Sequence, residues 1–106
     1  MRDLDLNDVI NIAYGVDQKF YGKKSNHNMT KYLAEEVNEL AEAVNLNSSY
    51  PGHKFEVLQE FGDVLFCLVS FAKQNDIDIA SALMLTITKI QERIKHGIDP
   101  LAGETE

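Results

Sequence analysis

Apolar residues along this chain recur at intervals of three and four, and no stretch shows the strict alternation of a half-buried strand, so the pattern predicts an all-helical protein. Four helices are expected. The first covers residues 7 to about 21, with Val9, Ile12, Ala13, Val16 and Phe20 at helical spacing and Gly22 placed as its stop. The polar segment 23–28 reads as a loop. The second runs from about 29 to 46 on a seam of Leu33, Val37, Leu40 and Val44, and Asn45, Asn47, Ser48, Ser49, Pro51 and Gly52 break it. The third spans about 54–74. The fourth spans about 78–96, with Asp76 or Asp78 as its N-cap, a seam of Leu83, Ile87, Ile90 and Ile94, and Gly97 as its stop. The tail 98–106 is expected to be poorly ordered.

Helices of this length joined by short loops pack as antiparallel neighbours, which predicts a single all-α domain over residues 1–106, a four-helix antiparallel bundle with its core between about 7 and 97. The third helix strains that picture. From Phe61 to Ala72 its apolar residues point nearly all round, and at ~100° per residue Phe66 stands ~130° from the direction of Phe61, Leu65 and Leu68. One small bundle does not easily cover both faces, so a homodimer or homotetramer is expected, with Phe66 in the interface.

Composition narrows the function classes. A 44% hydrophobic content suffices for a core without disulfides, and the single cysteine, Cys67, sits inside an apolar run as a buried thiol, which points to a reducing, cytoplasmic setting. The opening residues show no basic segment leading into an apolar one, and no apolar run approaches the ~20 residues that span a bilayer, so neither secretion nor membrane insertion is expected. A formal charge of -7 argues against a nucleic-acid partner held through its phosphates. It is compatible with a small phosphorylated ligand bridged to carboxylates by a cation.

The position of the acids therefore matters more than their number. On the second helix Glu36 and Glu39 flank the apolar seam at i and i+3, whereas Glu35 and Glu42 point nearly opposite it as a solvated face. The third helix repeats the arrangement with Glu60 and Asp63, which lead directly into its most apolar stretch. In an antiparallel hairpin the two pairs would surround one small volume, raising carboxylate pKa values unless a hard cation with oxygen ligands, Mg2+ or its substitute Mn2+, compensates.

These residues carry a family resemblance. The run Leu33-Ala34-Glu35-Glu36-Val37-Asn38-Glu39-Leu40-Ala41-Glu42-Ala43, followed by Glu60-Phe61-Gly62-Asp63-Val64-Leu65, resembles the paired E-E-x-x-E and E-x-x-D signature of the MazG-like all-α NTP pyrophosphohydrolases. Lys89 and Arg93, with Ile94-Lys95-His96-Gly97 after them, resemble the basic pair with which those enzymes hold phosphates, and the similarity extends over about residues 29–97. The resemblance implies hydrolysis of a nucleoside triphosphate to monophosphate and pyrophosphate. It places metal ligands at Glu36, Glu39, Glu60 and Asp63 and phosphate binding at Lys89 and Arg93, and it leaves the general base open among Glu35, Glu36 and Glu39.

For the base of the nucleotide, Phe20 and Tyr21 are candidates to stack on it, and Asn26 and Asn28 to read its edge. His27, His53 and His96 read as surface residues. Lys24, Tyr50 and Arg93 stand three before them, so the Glu-x-x-His motif of di-iron bundles is missing, and Gly22-Lys23-Lys24-Ser25 lacks the upstream glycine of a phosphate loop. The competing reading is a non-catalytic, acidic oligomerisation or regulatory module of the same fold.

Overall fold

A computed structural model gives the fold over residues 4–97; the expectation of a poorly ordered tail at 98–106 falls outside the described residues. The chain is all-α, with α1 at Leu6–Phe20, α2 at Asn26–Ser49, α3 at Lys54–Gln74 and α4 at Ile79–Lys95. None of these helices is long and apolar enough to cross a membrane. The described residues fall into two compact units divided after Asp76, with α1, α2 and α3 in the first and α4 in the second.

Local chemistry sets the helix ends. Asp5 caps α1 by accepting from the Asp8 backbone N–H at 2.8 Å, while the Asp8 carboxylate accepts from the Asp5 N–H at 3.4 Å, a reciprocal capping box. Gly22, at a φ of 68°, ends that helix in the left-handed conformation that glycine adopts without a Cβ clash. The second helix starts three residues earlier than its apolar pattern suggests. Its first turn is polar and so invisible to periodicity, but Ser25 Oγ accepts from the Asn28 N–H at 3.1 Å and caps it. At the other end the helix continues through Ser48 and Ser49, and the Asn47 side chain accepts from the His53 N–H at 3.0 Å, tying the Tyr50–His53 connection back onto α2.

The short connection makes α2 and α3 an antiparallel hairpin, and these two helices share the largest interface of the fold. In α2 every residue that is not exposed lies on one series, Met29, Leu33, Glu36, Leu40, Ala43 and Asn47, spaced alternately four and three. The facing series in α3 is Val57, Glu60, Val64, Cys67, Phe71 and Gln74. This is a coiled-coil seam, and it places one glutamate from each helix among the inward positions. The Val37 and Val44 half of the expected α2 seam is exposed instead.

Two other faces differ from the sequence pattern. In α1 the inward positions are Ile10, Ala13, Tyr14 and Asp17, while Val9, Ile12, Val16 and Phe20 are exposed, a rotation of one residue, or ~100°, from the expected stripe. A buried aspartate defeats a reading that assigns polar residues outward. In α3 the second apolar stripe, Leu58, Phe61, Leu65 and Leu68, is covered by neither α1 nor α2 and is between 43% and 65% exposed. Phe66 is half-buried and lines an open cavity of the first unit together with residues of α1 and α2.

The second unit is described by itself. Asp78 is the N-cap of α4 by position, although its side chain accepts from Ser81 Oγ rather than from the backbone. Asp76, the other candidate, has a φ of 55°. The helix closes on His96, and Gly97 follows at a φ of 76°.

Candidate active site

Seven residues of an α-helix span roughly 10 Å, and that distance separates the two ends of a cavity of about 570 Å3 in the first unit. Met29, Tyr32 and Glu36 line it from α2, and Asp63, Phe66, Cys67 and Ser70 from α3. Asp17, Tyr21 and Lys24 complete the wall. Because the helices are antiparallel, Glu36 and Asp63 share one end, while Met29 and Ser70 share the other with Asp17 and Lys24. The volume falls within the range of small-molecule sites.

At the first end, one carboxylate oxygen each from Glu36, Glu60 and Asp63 lies within 4.8 Å of the others. Glu36 Oε2 and Glu60 Oε2 are covered from solvent and have no hydrogen-bond partner among the described residues. Burial pushes the Glu36 carboxyl above the ordinary value, followed by the neighbouring Glu39 carboxylate and the charges of Asp63 and Glu60. Burial likewise raises Glu60, with the charges of Glu39 and Asp63 adding to it. Glu39 therefore belongs to the same electrostatic cluster although its side chain is exposed. Covered, unpartnered oxygens that repel one another are the arrangement a divalent cation relieves, and an all-oxygen donor set suits a hard ion. Glu35 and Glu42 are exposed and take no part in the cluster.

The opposite end is built the other way. Asp17 is 2% exposed, yet each carboxylate oxygen has donors: Lys24 Nζ at 2.8 Å on Oδ1, and Ser70 Oγ at 2.7 Å and Gln18 Nε2 at 3.1 Å on Oδ2. Burial pushes its carboxyl up, but the hydrogen bonds from Lys24 and Ser70, the Lys24 charge and the Gln18 bond outweigh burial and hold it below the ordinary aspartate value. The backbone of Lys24 is fixed as well, because its N–H donates to Gln74 Oε1 at 3.2 Å and its carbonyl accepts from Gln74 Nε2. Nothing in the local sequence announces Asp17, since Ser70 is 53 residues away; its helical register with Ile10, Ala13 and Tyr14 is the only available signal.

Of the residues proposed from sequence for base recognition, Tyr21 lines the cavity, whereas Phe20, Asn26 and Asn28 do not. Phe20 is exposed with Lys19 Nζ 5.4 Å from its ring centroid. Asn26 exchanges amide hydrogen bonds with Asn75 at 3.0 and 2.9 Å, which ties the start of α2 to the end of α3. Lys89 and Arg93 are exposed on α4, one turn apart. Cys67 is half-buried in the cavity wall, and burial, with the Glu36 and Asp63 charges, raises its thiol pKa.

A family model described as the MazG nucleotide pyrophosphohydrolase domain matches residues 24–98. No curated protein and no solved structure matches the chain significantly.

Proposed function

The chain belongs to the MazG nucleotide pyrophosphohydrolase family, and from that premise we propose that it hydrolyses a nucleoside triphosphate, ribo- or deoxyribo-, to the monophosphate and pyrophosphate. The observation that carries this reading is the opening of the carboxylate cluster onto the cavity, since Glu36 and Asp63 belong to both. Glu36, Glu60 and Asp63, with Glu39 beside them, are the residues to hold Mg2+, or Mn2+ in its place. A cation bound there supplies charge neutralisation for the phosphate chain and a more acidic water. The reaction joins a water oxygen to phosphorus and breaks the anhydride between the α and β phosphates. Glu39 stands at the edge of the cluster, outside the three closest oxygens, and of Glu35, Glu36 and Glu39 it is best placed to accept the water proton. Lys89 and Arg93 are carried over from the family resemblance as the phosphate-binding pair.

Release of pyrophosphate from a panel of nucleoside triphosphates, with Mg2+ and with EDTA, tests the reading. Turnover that requires the metal supports it. Metal binding without turnover of any nucleotide would favour the non-catalytic module.

Assembly as a homodimer or homotetramer is proposed on the exposed α3 stripe of Leu58, Phe61, Leu65 and Leu68, whose three-four-three spacing is that of an interhelical seam. Sedimentation should show Leu65→Glu with a smaller mass than the wild type. A fully active wild-type monomer would remove this proposal.

A further inference from the structure

At the aromatic end of the cavity a charged pair is buried where an apolar pair would cost less. Asp17 has spent its acceptors on Lys24, Ser70 and Gln18, so it has little left for a ligand. Lys24 is different. Its ammonium group donates to Asp17 Oδ1 at 2.8 Å and to the Gly22 carbonyl at 3.4 Å, which leaves one of its three N–H donors for the cavity it lines. The side chain is 20% exposed, and Nζ lies 5.6 Å from the centroid of the Tyr21 ring, so its position is determined on several sides.

We propose that Lys24, held in place by Asp17 and Ser70, reads the nucleotide base by donating a hydrogen bond from Nζ to a keto oxygen, and so selects keto-bearing bases over adenine. The assignment rests on the nucleotide reading of the site. Three observations support a base here rather than a phosphate. Tyr21, Tyr32 and Phe66 line the cavity, an aromatic wall that suits a planar ligand. Lys24 is already neutralised by Asp17, and a neutral pair draws a polyphosphate weakly. The metal-ligand end lies roughly 10 Å along the helices, a separation that a nucleotide spans between the edge of its base and its phosphate chain. Uracil, thymine, guanine and cytosine present a keto oxygen to such a donor, and adenine presents none. Asp17 stands outside the residues matched by the family model, and Lys24 is the first of them.

Calorimetric titration with the non-hydrolysable α,β-imido analogues of deoxyuridine and deoxyadenosine triphosphate, in Mg2+, tests the assignment. Wild type should bind the uracil analogue about 10- to 100-fold more tightly, the discrimination expected of one charged hydrogen bond. The double variant Asp17→Asn, Lys24→Met removes both charges together, and its ratio should fall toward one through loss of uracil affinity alone. Lys24→Met by itself, read at a temperature where circular dichroism shows it folded, is the second variant. A wild type without preference overturns the proposal, as does a variant that weakens both ligands equally, which would make Lys24 a phosphate contact. Pyrophosphate release from the natural nucleotides is measured alongside. Base preference without turnover defeats the hydrolase reading and keeps this one; turnover without base preference does the reverse.

Discussion

The two ends of the cavity bury acids in opposite ways. Glu36 and Glu60 occupy inward positions of the α2–α3 seam with covered oxygens that no described residue donates to, and their carboxyls are raised. Asp17 is more deeply buried, yet three donors saturate it and its carboxyl is lowered. Burial alone therefore does not set the protonation of an acid; the number of donors aimed at it does. A saturated acid fixes its neighbours in place. An unsatisfied cluster of like charges repels itself at a cost in stability and has the oxygen donors that suit a hard cation.

The largest expected effect comes from the unsatisfied end. Glu36→Gln and Asp63→Asn should lower kcat/KM for pyrophosphate release by roughly 100-fold or more, because amides are poorer ligands for a hard cation, while the metal-free fold survives or gains stability from lost repulsion. Glu42→Gln is the control at an exposed acid. Equal losses in all three would erase the distinction between clustered and solvated acids.

At the saturated end the cost falls on folding. Asp17→Ala strands the Lys24 ammonium and Ser70 without their acceptor, and urea denaturation should show a loss of about 2–4 kcal/mol. An unchanged midpoint would mean that the pair holds nothing together. Third, Mg2+ at 100 times its dissociation constant should add about 2.7 kcal/mol and raise Tm by several degrees in wild type, and should do neither in Asp63→Asn.

The smallest effect, and the sharpest contrast, is in the dependence on pH. Glu36 and Glu60 titrate above the ordinary 4.5, so the folded state holds more protons than the unfolded one in the window opening upward from that value. Metal-free stability should fall as pH rises through that window. Asp17 acts with the opposite sign: its contribution is present above 3.8 and is lost as pH falls through its lower folded value. Denaturation at a series of pH values in EDTA should show both slopes, with Glu36→Gln flattening only the upper one.

By itself the sequence determined the helical class, the four segments, α3 to the residue, and the acid pairs of α2 and α3, because periodicity and helix-terminating residues are local and each acid pair lies within a single turn. It also carried the family, whose match over 24–98 includes both pairs. Only the tertiary structure decided which stripe of each helix turns inward. Helices with apolar residues on more than one side, such as α1 and α3, bury whichever stripe their neighbours cover, and a shift of one residue turns the helix ~100°. That choice moved Glu36 and Glu60 into the seam, made Phe66 a cavity wall, and brought Asp17, Lys24 and Ser70 together across three separate stretches of chain. A buried aspartate is tolerable only with its donors in place, and one of them, Ser70, comes from 53 residues away and leaves no trace in the local pattern.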